Sequence, residues 1–231
     1  MRTAAILPIK SFGAAKQRLS PVLGGGARQA LAQAMFSDVL SSLRKVERID
    51  EITVVSADPA VDAAARGNGV TVLVDPSESG QSDATLVGIR HAMASGYDRV
   101  LLVPGDTPLL CPAELDSLLA RGESDGMQVV IVPDRHGSGT NALMISPPDA
   151  FRPSFGPDSL NRHVTLAQEA GLKHSVEEVA SLSHDVDTPD DLGALADVLE
   201  DRRAVAPMTR GALRQLDRAR ASRFSAEAVE V

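Results

Sequence analysis

Short apolar runs alternate with amphipathic stretches from the first residues of the chain onward. The runs are Ala4 to Ile9, Ile52 to Val55, Val70 to Val74, Val100 to Val103 and Val129 to Val132. Their length and Val/Ile/Leu content suit parallel strands buried on both faces. Between them Leu31, Met35, Val39 and Leu43 recur at every fourth position, so residues 27–45 predict a helix with one apolar stripe. Ala60 to Arg66, Asp83 to Ala94 and Pro112 to Arg121 predict further helices, with Gly67, Gly69 and Gly96 placed as stops. Strand, helix and strand in repetition predict an α/β fold: a mainly parallel central sheet flanked by helices, with right-handed crossovers.

The pattern becomes irregular after residue 133, where Gly137, Gly139, Pro147, Pro148, Pro153, Gly156 and Pro157 cut the chain into short pieces. Asn141 to Ser146 predicts a strand, Ser159 to Ala170 a helix, and Ser183 to Asp187 a final strand. Thr188 to Asp201 predicts a helix with Thr188 as N-cap, Pro189 at its first position, and Asp190 and Asp191 complementing the dipole. No linker divides the chain, so residues 1–201 read as one domain. Residues 202–231 hold seven Arg against Asp217, Glu227 and Glu230 and read as a solvated, Arg-rich helix and tail.

Composition narrows the classes. With 231 residues and 43% hydrophobic content, the chain can bury a sizeable core without disulfides or structural metals. Cys111 has no cysteine partner and lies between Leu110 and Pro112, which reads as a buried thiol. No apolar run approaches the roughly 20 residues that span a bilayer, and Pro8 and Lys10 break the N-terminal run before any cleavage signature, so a cytoplasmic protein is expected. Nucleic-acid binding is not expected of an acidic chain with five Phe, one Tyr and no Trp.

The net charge of −8 conceals an uneven distribution. Residues 1–37 carry Arg2, Lys10, Lys16, Arg18 and Arg28 and no acid at all, which points to an anionic ligand near the N-terminus. Ligands in open α/β sheets gather beyond the carboxyl ends of the strands, so the residues after each run are the candidates. After the first run, Lys10, Lys16 and Arg18 read as a polyphosphate loop or as a solvated basic loop. It has neither Walker nor dinucleotide-fingerprint spacing. After the fourth, Asp106 in Pro104-Gly105-Asp106-Thr107-Pro108 reads as a Mg²⁺ ligand or a turn residue. Asp185 and Asp187 flank Val186, so alternation puts two carboxylates on one face, a costly arrangement unless a cation joins them. With Asp106 they predict a site for one or two Mg²⁺ ions. The loops Asp134 to Leu143 and Phe155 to Ser159 read as an anion site at a helix N-terminus or as ordinary turns; Arg162 and His163, one turn into that helix, are candidates to face the same anion.

Taken together, over roughly residues 3–200, these stretches resemble the guanylyltransferase family that activates 2-phospho-L-lactate or phosphoenolpyruvate for biosynthesis of the deazaflavin coenzyme F(420). The carriers are Leu7-Pro8-Ile9-Lys10 with Lys16-Gln17-Arg18-Leu19, Pro104-Gly105-Asp106-Thr107-Pro108-Leu109, Gly139-Thr140-Asn141-Ala142-Leu143, Phe155-Gly156-Pro157-Asp158-Ser159 with His163, and Asp185-Val186-Asp187-Thr188-Pro189-Asp190-Asp191-Leu192. The resemblance implies a single nucleotidyltransferase domain of the glycosyltransferase-A-like, Rossmann-type class with GTP as donor. It implies Asp106, Asp185 and Asp187 as metal ligands for Mg²⁺, and Thr140, Gly156 and Ser159, with Arg162 and His163 beside them, around the phospho-acid. Pro8, Lys10, Lys16, Arg18, Gly80 and Gly105 would hold the nucleotide, and Lys16, Arg18 and Asp106 would carry catalysis. Where relatives tend to show Gly-Leu-Asn before the helix lining the nucleotide pocket, this chain reads Gly80-Gln81-Ser82-Asp83. The implied reaction transfers GMP from GTP to phosphoenolpyruvate, or alternatively to 2-phospho-L-lactate or 3-phosphoglycerate, in a monomer or homodimer. A nucleotidyltransferase for molybdopterin or a sugar phosphate, and a noncatalytic nucleotide-binding regulator, are the rival readings.

Overall fold

A computed structural model describes residues 1–75, 80–202 and 204–227. Its seven strands are β1 (Thr3–Pro8), β2 (Glu51–Val55), β3 (Thr71–Leu73), β4 (Arg99–Leu102), β5 (Val129–Pro133), β6 (Thr140–Ile145) and β7 (His174–Val176). Helices α1 (Gly25–Leu43), α2 (Pro59–Arg66), α3 (Gln81–Ala94), α4 (Pro112–Ser124), α5 (Ser159–Glu169), α6 (Pro189–Asp201) and α7 (Pro207–Glu227) complete it. One sheet runs β3-β2-β1-β4-β6-β5-β7. β3, β2, β1 and β4 are mutually parallel; β6 lies antiparallel to both β4 and β5, and β7 is parallel to β5. The expected α/β class with a mainly parallel sheet is what forms.

The apolar runs fold as strands because both faces of the sheet are covered. Ala4 to Leu7 of β1 are wholly buried, with Leu7 packed among α1 and α4 and Ile6 against α3. Gly88 of α3 allows that approach: a Cβ there would lie 2.5 Å from Ile6 Cγ2. From β1 the chain winds outward to β2 and β3, then returns to the other side of β1 as β4. The strand order reverses between β1 and β4, and such a reversal leaves a crevice beyond the carboxyl ends of the two strands.

Three expectations change. The expected strand Ser183 to Asp187 pairs with nothing in the sheet; Val186 is wholly buried against α1 and α6 while Asp185 and Asp187 on either side are half-buried. The seventh strand is instead β7, whose His-Ser-Val sequence carries no apolar run. Cys111 is half-buried rather than buried and is the N-cap of α4.

The segment after residue 202 is not simply solvated. α7 packs on α1 and α6, with Thr209 wholly buried and Leu213 and Leu216 against the cluster of Leu31, Met35 and Leu195. Arg203 and residues 228–231 of the expected tail lie outside the described residues. Among the described residues no helix is long and apolar enough to cross a membrane.

Candidate active site

The loops after β1 and β4 enclose a cavity of about 320 Å³ at the strand-order reversal. The loop after β1 turns back over the sheet because Asp58 holds its middle: the carboxylate accepts from Ser11 Oγ at 2.9 Å and from the Phe12 amide at 3.0 Å. Phe12 then packs edge-on against Phe36 of α1, with ring centroids 5.5 Å apart. Lys16 follows with a left-handed backbone, φ +56°, a conformation rare for a residue with a side chain. The β4 side is closed by Gly105, where a Cβ would fall 2.3 Å from Ile9 Cδ1 and push that side chain off its place in the cavity wall.

At the mouth, the Lys16 ammonium forms ion pairs with Asp106 Oδ2 and, at 2.9 Å, with Asp187 Oδ1. Ninety residues of chain separate the first pair and 171 the second. Burial alone would lower the Lys16 pKa, but the charges of Asp106 and Asp187 more than reverse it, so the net shift is upward and the ammonium stays protonated. The other carboxylate oxygen of Asp106, Oδ1, is buried with no hydrogen-bond partner. Asp185 lies beside this pair. Burial raises its pKa, the Asn141 amide 3.0 Å away opposes the rise, and the charges of Asp106 and Asp187 add to it. Asn141 also donates to Leu182 O at 2.7 Å, which fixes the amide and so the carboxylate it holds.

The three acids expected as metal ligands therefore converge, two of them on a lysine. Among the described residues no group of three or more His, Cys, Asp or Glu side chains has metal-holding geometry. The donor set nevertheless fits a hard divalent cation: it is all oxygen, one Asp106 oxygen is orphaned, and a cation, the Lys16 ammonium, already bridges the carboxylates.

The remaining expected residues divide. Pro8, Lys10, Lys16, Gly80, Gly105 and Asp106 all line the cavity. Arg18 does not: it is exposed in a single 3-10 turn, Gln17–Leu19, outside that lining. Thr140, Gly156 and Ser159 gather where β6 begins and α5 starts, at the same end of the sheet as the ends of β1 and β4 because β6 runs antiparallel to β4. Gly156 has φ +111°, a turn that only glycine makes without strain. Arg162 is tied back to Ser154 and to the Pro157 carbonyl.

His163 is wholly buried and both its nitrogens are engaged. Nε2 accepts from the Ser154 amide at 3.0 Å, so in the neutral ring the proton sits on Nδ1 and is donated to Thr140 Oγ1, also 3.0 Å away. That leaves the Thr140 hydroxyl proton free to point elsewhere. Burial, with a smaller contribution from Arg162, lowers the His163 pKa to about 4. An unfolded histidine binds a proton near pH 6.5 and the native one only near 4, so stability is lost as pH falls through that window. We expect the unfolding free energy to fall by about 2 kcal/mol between pH 7 and pH 5, read as a lowered thermal midpoint. In His163→Gln the same scan should be flatter; an equal pH slope would remove His163 as its source.

Sequence reasoning missed several cavity residues, among them Phe12, Met35, Phe36 and Asp75. Phe36 sits one position past Met35 on the α1 stripe, and the Phe12–Phe36 contact exists only once the first loop has folded back.

Residues 3–206 match the family described as guanylyl transferase CofC like. The chain belongs to that family. It is 50% identical over 216 residues to a phosphoenolpyruvate guanylyltransferase of Conexibacter woesei, covering 94% of this chain and 97% of that one. It is 37% identical to a 2-phospho-L-lactate guanylyltransferase of Methanothermobacter thermautotrophicus, with 84% of each chain covered. The fold superposes on a solved nucleotidyl transferase from the same organism with TM-score 0.64 at 19% identity, covering 87% of this chain and 99% of the other. This guanylyl transferase family member is thus an enzyme with a nucleotidyltransferase fold, and the noncatalytic regulator reading falls away.

Proposed function

We propose that the protein transfers GMP from GTP to phosphoenolpyruvate, giving enolpyruvyl-diphospho-guanosine and pyrophosphate, in coenzyme F(420) biosynthesis. The observation that carries this reading is the Lys16 ammonium bridging Asp106 and Asp187 at the mouth of the cavity. A phosphate oxygen of phosphoenolpyruvate attacks the α-phosphorus of GTP, and the bond from that phosphorus to the oxygen bridging to the β-phosphorus breaks, with both electrons leaving on pyrophosphate. The second pKa of a phosphate monoester is about 6, so the nucleophile is already an anion and no general base is needed.

The work left to the protein is alignment and charge neutralisation. Lys16 brings a permanent positive charge to the triphosphate, and exposed Lys10 adds another at the cavity rim. Thr140, oriented by His163, and the Ser159 side chain at the start of α5 would offer hydroxyl donors to the phospho-acid. Mg²⁺ held by Asp106, Asp185 and Asp187 would draw charge from the α-phosphate as negative charge builds there. Phosphoenolpyruvate is preferred over 2-phospho-L-lactate as acceptor because the relative named for it is the more similar of the two, 50% against 37% identity.

Pyrophosphate release, scored for four nucleotides against phosphoenolpyruvate, 2-phospho-L-lactate and 3-phosphoglycerate with Mg²⁺, tests the reading. GTP with phosphoenolpyruvate should give the highest rate, and a higher rate with any other pair would replace it. Lys16→Ala should weaken GTP binding about 10- to 100-fold, the loss of a charge-assisted contact in a buried site. An unchanged affinity by calorimetric titration would move the triphosphate away from this loop.

A further inference from the structure

Asp187 meets Lys16 from a segment that no sheet ladder fixes, with its own side chain 48% exposed. Its neighbours hold it there. Val186 before it is wholly buried, and the Asp187 amide donates to Asp191 Oδ2 at 3.0 Å. The same oxygen accepts from the Thr188 amide at 2.7 Å and from the Thr188 hydroxyl at 2.8 Å. The Asp191 amide in turn donates to Thr188 Oγ1 at 3.3 Å, which completes a capping box at the start of α6. A capping box needs one carboxylate oxygen, yet Asp191 is engaged through both.

The other oxygen, Oδ1, forms an ion pair with the Arg135 guanidinium, while His136 Nε2 stands farther off at 3.9 Å. Arg135 lies on the loop between β5 and β6, and that loop is itself anchored. The Ser138 amide donates to Asp134 Oδ1 at 2.9 Å, and Ser138 O accepts from the Leu160 amide of α5 at 3.1 Å. Rotation of a carboxylate about its last bond is soft, so with Oδ2 shared among three donors the partner of Oδ1 decides the angle at which it meets them. Arg135 supplies that second fixed point. Neither Arg135 nor Asp191 lines the cavity, and Asp191 is only 6% exposed.

We infer that Arg135 and Asp191 are positioning residues: their ion pair sets the Asp187 backbone and so holds the Asp187 carboxylate where Lys16 and a divalent cation meet it. The inference rests on the reading of Asp187 as a metal ligand proposed above. Groups that orient a ligating carboxylate from behind change metal affinity or activity about 10- to 100-fold when removed. Their loss acts on the cation, not on contacts to the phospho-acid.

The test titrates Mn²⁺ into the nucleotide-free full chain, read by electron paramagnetic resonance, and measures kcat and KM for pyrophosphate release in the same proteins. Arg135→Ala leaves the capping box of α6 in place. It should weaken Mn²⁺ binding about 10-fold or more and lower kcat, with KM for phosphoenolpyruvate unchanged. Arg135→Lys, which restores a cation opposite Asp191, should recover part of both losses. Asp191→Asn should resemble Arg135→Ala, and the double variant should lose no more than either single one, as expected of two residues acting through one contact. Wild-type Mn²⁺ affinity in Arg135→Ala overturns the inference, as do losses that add in the double variant. A raised KM for phosphoenolpyruvate with Mn²⁺ affinity intact would make Arg135 a substrate contact and equally overturn it. A merely structural role would lower the number of Mn²⁺ sites per chain and leave their affinity as it is, which also overturns it. A wild-type protein that binds no Mn²⁺, or releases no pyrophosphate from GTP, would fail the functional reading itself before any variant is compared.

Discussion

Replacing Asp106 with Asn should lower the turnover for pyrophosphate release by at least about 10²-fold, the scale seen when a group stabilising transition-state charge is removed. The substitution is nearly isosteric and sits on a loop with a quarter of its side chain exposed, so packing is preserved. What changes is electrostatic. Lys16 keeps Asp187 but loses one of its two carboxylate partners, and the orphaned oxygen Oδ1 no longer belongs to an anion. Both the placement of the Lys16 charge and the affinity of the carboxylate set for a divalent cation then suffer in one step. Stopped assays with GTP, phosphoenolpyruvate and Mg²⁺, together with a melting curve, check this. Near-normal turnover in a folded Asp106→Asn enzyme would take Asp106 out of the reaction centre, whereas lost turnover with a lowered melting point would show damage to the fold instead.

The convergence behind that expectation was legible in the sequence to the extent that it follows from strand ends. Buried parallel strands announce themselves as apolar runs, and the crevice rule then places the residues after β1 and β4 together. The detail within the crevice was not legible. Lys16 meets both carboxylates from a backbone in the left-handed region, a conformation that its local sequence does not mark. Strand alternation reads Asp185 and Asp187 on one side of Val186; in the fold Val186 is buried without pairing in the sheet, Asp187 pairs with Lys16 and Asp185 lies within reach of the charges of Asp106 and Asp187. β7 escaped notice because an edge strand with one exposed and two half-buried residues needs no apolar run. Arg18 shows the reverse: a cation two residues from Lys16 in sequence, it lies within the 3-10 turn Gln17–Leu19 and is exposed, outside the cavity lining.

The burial of α7 likewise depends on a residue whose sequence context gave no sign of it. Asp38 is 3% exposed in the middle of α1, an unfavourable place for a carboxylate unless it is paired. Its partners are the first turn of α7: the amides of Met208 at 3.2 Å and Thr209 at 2.7 Å, and the Thr209 hydroxyl at 2.7 Å. Asp38 is thus a cap supplied from 170 residues away, meeting donors that a helix start leaves unsatisfied. Asp38→Ala leaves those buried donors without an acceptor. The cost should be about 3 kcal/mol, which for a domain of this size lowers Tm by about 6–12 °C. Because α1 also carries Ala32, Met35 and Phe36 into the nucleotide cavity, a loosened α7 should also weaken GTP binding, though less than Lys16→Ala does. Asp38→Asn, which keeps one acceptor oxygen, should recover part of the loss. A melting point unchanged in Asp38→Ala would mean that α7 contributes nothing to holding α1 against the sheet.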